Sequence, residues 1–324
     1  MNKNRIFLSI AFIISLSVIL IAPFLGAVKI TLKGLTDNNT LRIIFFNLRV
    51  PRVFLSFFAG AMLSVSGLIL QSVFRNPLVS PYTLGVSSAA SAGVFFSIKT
   101  GIFFSFFSIL TSYNIFSIIF SLFSVFFLYF LSKISGDFNL KTALLAGISL
   151  NFLFSSFIMI LHFISSPQES FEIFKWIFGS LETEGYSIVI IFLFLFIILF
   201  ALSFYYRREL DLFSLSEEIA LSKGVDVEKF KISVFLLLSI IIAIIVSYTG
   251  PIGFIGLIIP HIAKKLGGGK HSVIVPLSAY LGGFLLVFSD IFSRIVVPPA
   301  EIPVGIITTL FGVPFFIYLI WKNR

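Results

Sequence analysis

Arg207 to Lys231, RRELDLFSLSEEIALSKGVDVEKFK, holds 11 of the chain's 37 charged residues within 25 positions. Apolar runs long enough to cross a bilayer flank it on both sides. The stretch therefore reads as a water-facing module that a membrane protein keeps for a soluble partner. Ser214 and Glu217 stand at capping-box spacing, which would satisfy the free N–H groups of a new helix. Leu215, Ile219 and Leu221 predict a short apolar face, with Glu217, Glu218 and Lys223 left for water. Gly224 suits the left-handed position that closes a helix. A plain solvated connection is the competing reading. Against it stand length and order, because most helix–helix connections need only a few residues.

The composition agrees with a body buried in lipid. Of 324 residues, 58% are hydrophobic and 11% charged, with 44 phenylalanines and a mean hydropathy of +1.10. Soluble domains carry about 25% charge, so an integral membrane protein is expected. Cysteine is absent, which excludes disulfides, thiolate metal sites and cysteine nucleophiles. A net charge of +9 could suit nucleic acid, but its distribution follows the positive-inside rule instead. The first uncharged segment, Ile6 to Val28, exceeds the usual core of a secretory signal and is read as a retained span, with a signal peptide as the alternative.

Uncharged stretches predict helices near 6–28, 53–74, 83–98, 113–132, 142–164, 186–206, 232–249, 252–266, 272–293 and 303–321. An even count puts both termini on one side, and Lys3, Arg5, Lys322 and Arg324 mark that side as cytoplasmic. The assignment leaves 15 basic residues inside and 8 outside, the expected bias. Residues 100–112 read as a re-entrant or a surface-lying piece; periodicity does not decide between them. Lys29 to Leu48 and Ser165 to Gly185 are polar outer connections. The second, with Phe171, Phe174, Trp176, Ile177 and Phe178 near charges, predicts a short amphipathic helix at the interface. Small residues cluster at Ala59, Gly60, Ala61, Ser64, Ser66 and Gly67, and again at Ala279, Gly282 and Gly283, and predict close helix packing.

Three passages resemble one family: residues 49–93, beginning RVPRVFLSFFAGAML; the Glu218-Ile219-Ala220-x-x-x-Gly224 pattern; and residues 250–320, beginning GPIGFIGLIIPHIAKKL. Together they are similar to the FecCD/BtuC permeases of ABC importers, which take up ferric siderophores, haem and vitamin B12. The resemblance implies an all-α, single-domain permease over 1–324 with about ten transmembrane helices. It also implies a homodimer with the pathway on its two-fold axis, two separate ATPase subunits that hold ATP and magnesium, and an extracytoplasmic substrate-binding protein, periplasmic or lipid-anchored. No cofactor is expected on this chain and no nucleic acid among its partners; its other surroundings are membrane lipid.

On the same resemblance, residues 207–231 become the coupling loop, with Ser214, Ser216, Glu217, Glu218, Ala220 and Gly224 as the ATPase-facing set. Arg49, Arg52 and Arg294 are expected to grip acidic residues of the binding protein. Lipid anchoring of Arg49 and Arg52, and an i,i+4 pair of Arg294 with Asp290, are the alternatives. The family's gate maps onto Asn76 and Leu78, and onto Leu140 and Lys141. The last two depart from the small hydroxyl residues of that gate and equally suit a plain helix end.

Catalytic chemistry is not legible. Gly267-Gly268-Gly269-Lys270-His271 lacks the spacing of a phosphate loop and has histidine where Ser or Thr would hold magnesium. His162, His261 and His271 show no metal-ligand spacing, and no Ser/His/Asp or paired-carboxylate arrangement stands out. An ion-coupled secondary carrier is the alternative function. It would place ionisable residues midway along its spans, where most spans here are neutral.

Overall fold

The structure is a computed structural model. It describes residues 3–106, 110–134, 140–298 and 300–322, without the side chains of 3–11, 106, 132–134, 140, 141, 172, 174, 175, 319, 320 and 322. The terminal charges at Lys3, Arg5, Lys322 and Arg324 thus lie outside the described side chains.

Fifteen α-helices are present among the described residues. They begin with α1 (Lys3–Ile21), α2 (Leu32–Asp37) and α3 (Asn39–Ile43). The last of these runs through a π-helical turn, Ile44–Arg49, straight into α4 (Val50–Val73). Then come α5 (Val86–Thr100), α6 (Ser112–Ile134), α7 (Leu140–Phe163), the short α8 (Pro167–Ile177) and α9 (Ser187–Tyr205). Two small helices follow, α10 (Arg207–Leu215) and α11 (Glu217–Ser222), before α12 (Val227–Thr249), α13 (Ile255–Gly267), α14 (His271–Ile295) and α15 (Val304–Lys322).

Ten of these fall where the uncharged stretches put spans, and six are long and apolar enough by themselves to cross a bilayer. The differences have local causes. The first helix stops at Ile21, because Pro23 has no N–H to continue it and a 3₁₀ turn, Ala22–Phe24, follows. The helix expected from 232 begins at Val227, where Asp226 caps it through the Lys229 N–H. Within residues 100–112, Ser105 and Phe106 pair antiparallel with Thr111 and Leu110, a ladder too short to decide membrane depth.

Packing centres on α4, which is buried over most of its length. It meets α14 where Gly60 faces Gly282, and a Cβ at either glycine would collide with the other's carbonyl. A Cβ at Gly67 would likewise strike the carbonyl of Gly256 in α13, and one at Gly256 the carbonyl of Leu63. In lipid no hydrophobic drive presses helices together, so this backbone approach supplies the dispersion contact instead. The small-residue clusters read from the sequence are thus the seam of the fold. The expected amphipathic helix is α8, opened by a reciprocal capping box between Ser166 and Glu169. It buries Ile173 and leaves Phe171 exposed.

Candidate functional site

Two ends and a cavity hold the polar chemistry. At one end, α10 and α11 form the protrusion read from Arg207–Lys231, with corrections. The stretch is two helices joined at Ser216, and Ser216, not Ser214, is the cap: its Oγ accepts from the Ile219 N–H at 3.0 Å. Ser214 sits inside α10 and donates back to the Leu210 carbonyl at 2.9 Å. The apolar face is also different. Leu210, Phe213 and Ala220 turn inward, whereas Leu215, Ile219 and Leu221 are 63%, 39% and 58% exposed. The break at Ser216 separates α10 from α11 and rotates the register of the second helix.

Glu217 Oε2 is 2.7 Å from Lys231 Nζ, which ties α11 to α12. Glu218 stands in the exposed first turn of α11. Gly224 has φ +84° and closes the helix as expected. Asp226, at the start of α12, is held below the usual carboxylate range by hydrogen bonds from the Lys229 side chain and N–H. The protrusion is therefore a braced pair of helices with an uncovered apolar edge.

At the opposite end the arginines are not free. Arg49 Nη1 and Nη2 donate to the carbonyls of Pro23, Phe24 and Val28 at 3.3, 3.2 and 2.5 Å. Arg294 donates to those of Leu25 and Ala22 at 2.9 and 3.3 Å. Both gather carbonyls of the turn and the extended segment that follow α1, from Ala22 to Val28, so their charge lies just past the helix C-terminus. Asp290, fully buried, is 2.8 Å from Arg52 Nε and 3.1 Å from Arg294 Nη2; Arg52 Nη1 also reaches Glu301 at 2.7 Å. All three arginines expected at the binding-protein face are engaged within the chain. The i,i+4 pair of Arg294 with Asp290 is present, and the helix-end role of Arg49 was not foreseen. The arginines floor a recess of about 540 Å³, rimmed by Glu182, Glu184 and Glu301.

Of the gate residues, Asn76 Oδ1 accepts from the Leu78 N–H at 2.9 Å in the turn after α4, and Leu78 is exposed. The side chains of Leu140 and Lys141 lie outside the described residues.

The sequence reading missed a cavity of about 960 Å³ between α5, α7, α13 and α15. Its lining on α7 runs from Ile148 to Phe163, about 22 Å of helix. Among the described residues no Lys, Arg, Asp or Glu lines it; the polar groups are Ser80, Tyr82, Thr83, Ser87, Ser88, Ser91, Asn151, Ser155, His162 and Thr309. Ser88 donates to Asn151 Oδ1 at 2.6 Å, and Asn151 to the Tyr82 carbonyl at 2.9 Å. The buried Tyr82 hydroxyl and Ser87 Oγ have no hydrogen-bond partner among the described residues. The signal was available: Ser87, Ser88 and Ser91 share one face of α5, and Asn151 and Ser155 one face of α7.

The FecCD transport family matches residues 8–322. Among curated proteins, the hemin transport system permease protein HmuU of Yersinia pestis is 35% identical, over 98% of this chain and 96% of its own. The iron(3+)-hydroxamate import system permease protein FhuG of Bacillus subtilis is 32% identical, over 99% and 98%. A solved metal-chelate type ABC transporter in an inward-facing conformation superposes with a TM-score of 0.81 at 29% identity, covering 95% of this chain and 97% of its own.

Proposed function

The chain belongs to the FecCD transport family, as a membrane-spanning permease subunit of an ABC importer, and we propose that its cargo is a ferric chelate of low net charge, a neutral trihydroxamate first. The observation that carries this is the lining of the cavity. Its volume of about 960 Å³ stands at the upper end of the roughly 300–1,000 Å³ usual for ligand sites. An anionic chelate entering it would lose hydration and meet no cation among the lining residues, a large cost in a low dielectric. A neutral chelate rich in carbonyl and amide groups would instead meet a row of hydroxyls, two of them unpaired.

Two copies of the chain would close the pathway between them. Both α7 and α9 are largely uncovered, 22% buried each. The exposed side of α9 is apolar, as lipid requires, while α7 exposes Ser149, Ser155, Ser156 and His162. Polar groups on a bare transmembrane face belong to a partner or an aqueous path.

The end bearing α10 and α11 is assigned to the cytoplasm, in keeping with the bias of basic residues, and a separate ATPase subunit with its ATP and magnesium would seat on it. Leu215, Ile219 and Leu221 would fill an apolar cleft there, with Glu218 at its rim. The opposite end would receive the substrate-binding protein. On this reading Arg49, Arg52 and Arg294 shape the docking surface from beneath, and the rim carboxylates meet the partner. ATP-driven uptake of a neutral ferric trihydroxamate, competed poorly by haem or an anionic ferric tricatecholate, tests the cargo. Equal uptake of the anionic chelate would count against it.

A further inference from the structure

Asp211, His271 and Ser72 come from three helices, α10, α14 and α4, and form one unbroken run of hydrogen bonds. One carboxylate oxygen of Asp211 accepts from the His271 backbone N–H at 2.8 Å and lies 2.7 Å from its ring Nδ1. Across the ring, Nε2 is 2.8 Å from Ser72 Oγ, and with Nδ1–H turned to Asp211 in the neutral ring Nε2 accepts the serine hydrogen, for which the Leu68 carbonyl at 2.9 Å competes. His271 is fully buried and Ser72 nearly so, whereas the Asp211 side chain is 37% exposed. The run therefore leads from the protrusion into the body.

Acid, imidazole and hydroxyl in this order suggest a nucleophile, but Ser72 is buried and lines neither the large cavity nor the arginine recess. Its use is mechanical. The residue before α14, Lys270, makes no side-chain cap. Asp211 therefore supplies from α10 the carboxylate that the free N–H groups of α14 lack. A buried imidazole left without partners would be costly, so α10, α14 and α4 hold position together. The same α4–α14 pair is locked at Gly60 and Gly282 and ends, on the far side, in the Arg52–Asp290 pair.

We propose that Asp211–His271–Ser72 is a positioning link that delivers displacement of α10 and α11 to the α4–α14 pair, and through it to the opposite face. This rests on the reading of α10 and α11 as the ATPase contact. His271 is its centre because each ring nitrogen holds a different helix.

The chain has no cysteine of its own, so Ile295→Cys at the exposed end of α14 accepts a single spin label per copy. In the complex with its ATPase, trapping with ATP and vanadate is expected to shift the label–label distance. S72A, D211A and H271N should each cut the fraction of complexes that shift by at least about fivefold, the lower end of ordinary coupling between sites. S72T keeps the hydroxyl and D211N keeps the acceptor oxygen, so both should restore the shift. S72A removes one oxygen and decides the matter if the histidine variants do not assemble. A wild-type label that does not move, or S72A moving as wild type does, overturns the link. Glu218→Lys separates the two readings: if it alone blocks the shift, the ATPase contact stands and the link fails. If S72A blocks the shift and Glu218→Lys has no effect, the link stands and Glu218 alone drops out of the contact.

Discussion

Lys231 Nζ lies 2.7 Å from Glu217 Oε2, and this pair fastens the first turn of α11 to the second turn of α12. Glu217 is about half exposed, so the pair is screened on one side, while Lys231 is nearly buried. Glu217→Gln is expected to cost about 1 kcal/mol or less. Glu217→Lys should cost more, because it sets two ammonium groups against each other. Hydrogen exchange across 217–222 reads the effect, with up to about fivefold faster exchange for the first variant and more for the second. Unchanged protection in both would mean that α11 is held by other contacts.

Asp290 is the shared anion of Arg52 and Arg294. Asp290→Ala leaves two guanidinium groups with an unbalanced buried charge, a loss of about 3–5 kcal/mol. Glu301→Gln removes only the more exposed partner of Arg52 and should cost about 1 kcal/mol or less. Thermal unfolding midpoints in one detergent should fall far more for the first. Equal losses would remove Asp290 from its place as the anchor.

The seam between α4 and α14 leaves no room for a side chain at Gly60 or Gly282. Gly282→Leu should abolish recovery of monodisperse protein, whereas Gly269→Leu, where a Cβ would meet nothing within 4 Å, should be tolerated. Size-exclusion profiles compare them directly. A normal profile for Gly282→Leu would show that the two helices do not need their close approach.

The Glu169 carboxyl is held below the ordinary range, first by the Ser166 backbone N–H and then by Lys99. A carboxylate depressed in the folded state adds stability that is present above its unfolded pKa and disappears as pH falls through its folded one. Protection of α8 should therefore decline below about pH 4.3, where a free glutamate titrates. Glu169→Gln should flatten that decline, and an unchanged profile would place the acid response elsewhere.

How far the sequence spoke can be judged residue by residue. Charge-free length is a direct physical requirement of a bilayer, so all ten long helices and the protrusion at 207–231 were visible as pattern. The small residues of α4 and α14 announced their seam for the same reason. What a linear pattern does not carry is which distant group a side chain meets. Ser216 rather than Ser214 caps α11, because the chain breaks between them and propensity alone does not choose. Arg49 and Arg294 meet backbone carbonyls between Ala22 and Val28, more than 20 and more than 260 residues away in sequence, and charge placement alone does not foretell such partners. His271, in a glycine-rich turn, gave no hint that Asp211 and Ser72, 60 and 199 residues away, would meet its two ring nitrogens.

On the proposed function, this chain moves cargo only when force from a nucleotide-hydrolysing partner reaches it through α10 and α11. Ferric trihydroxamate uptake into vesicles measures this, with the permease alone, with its ATPase and binding protein, and with the same complex carrying Glu218→Lys. Concentrative uptake is predicted for the intact complex with ATP, with none for the chain alone and a severe loss for Glu218→Lys. Uphill uptake by the chain alone, without any ATPase, would contradict the account.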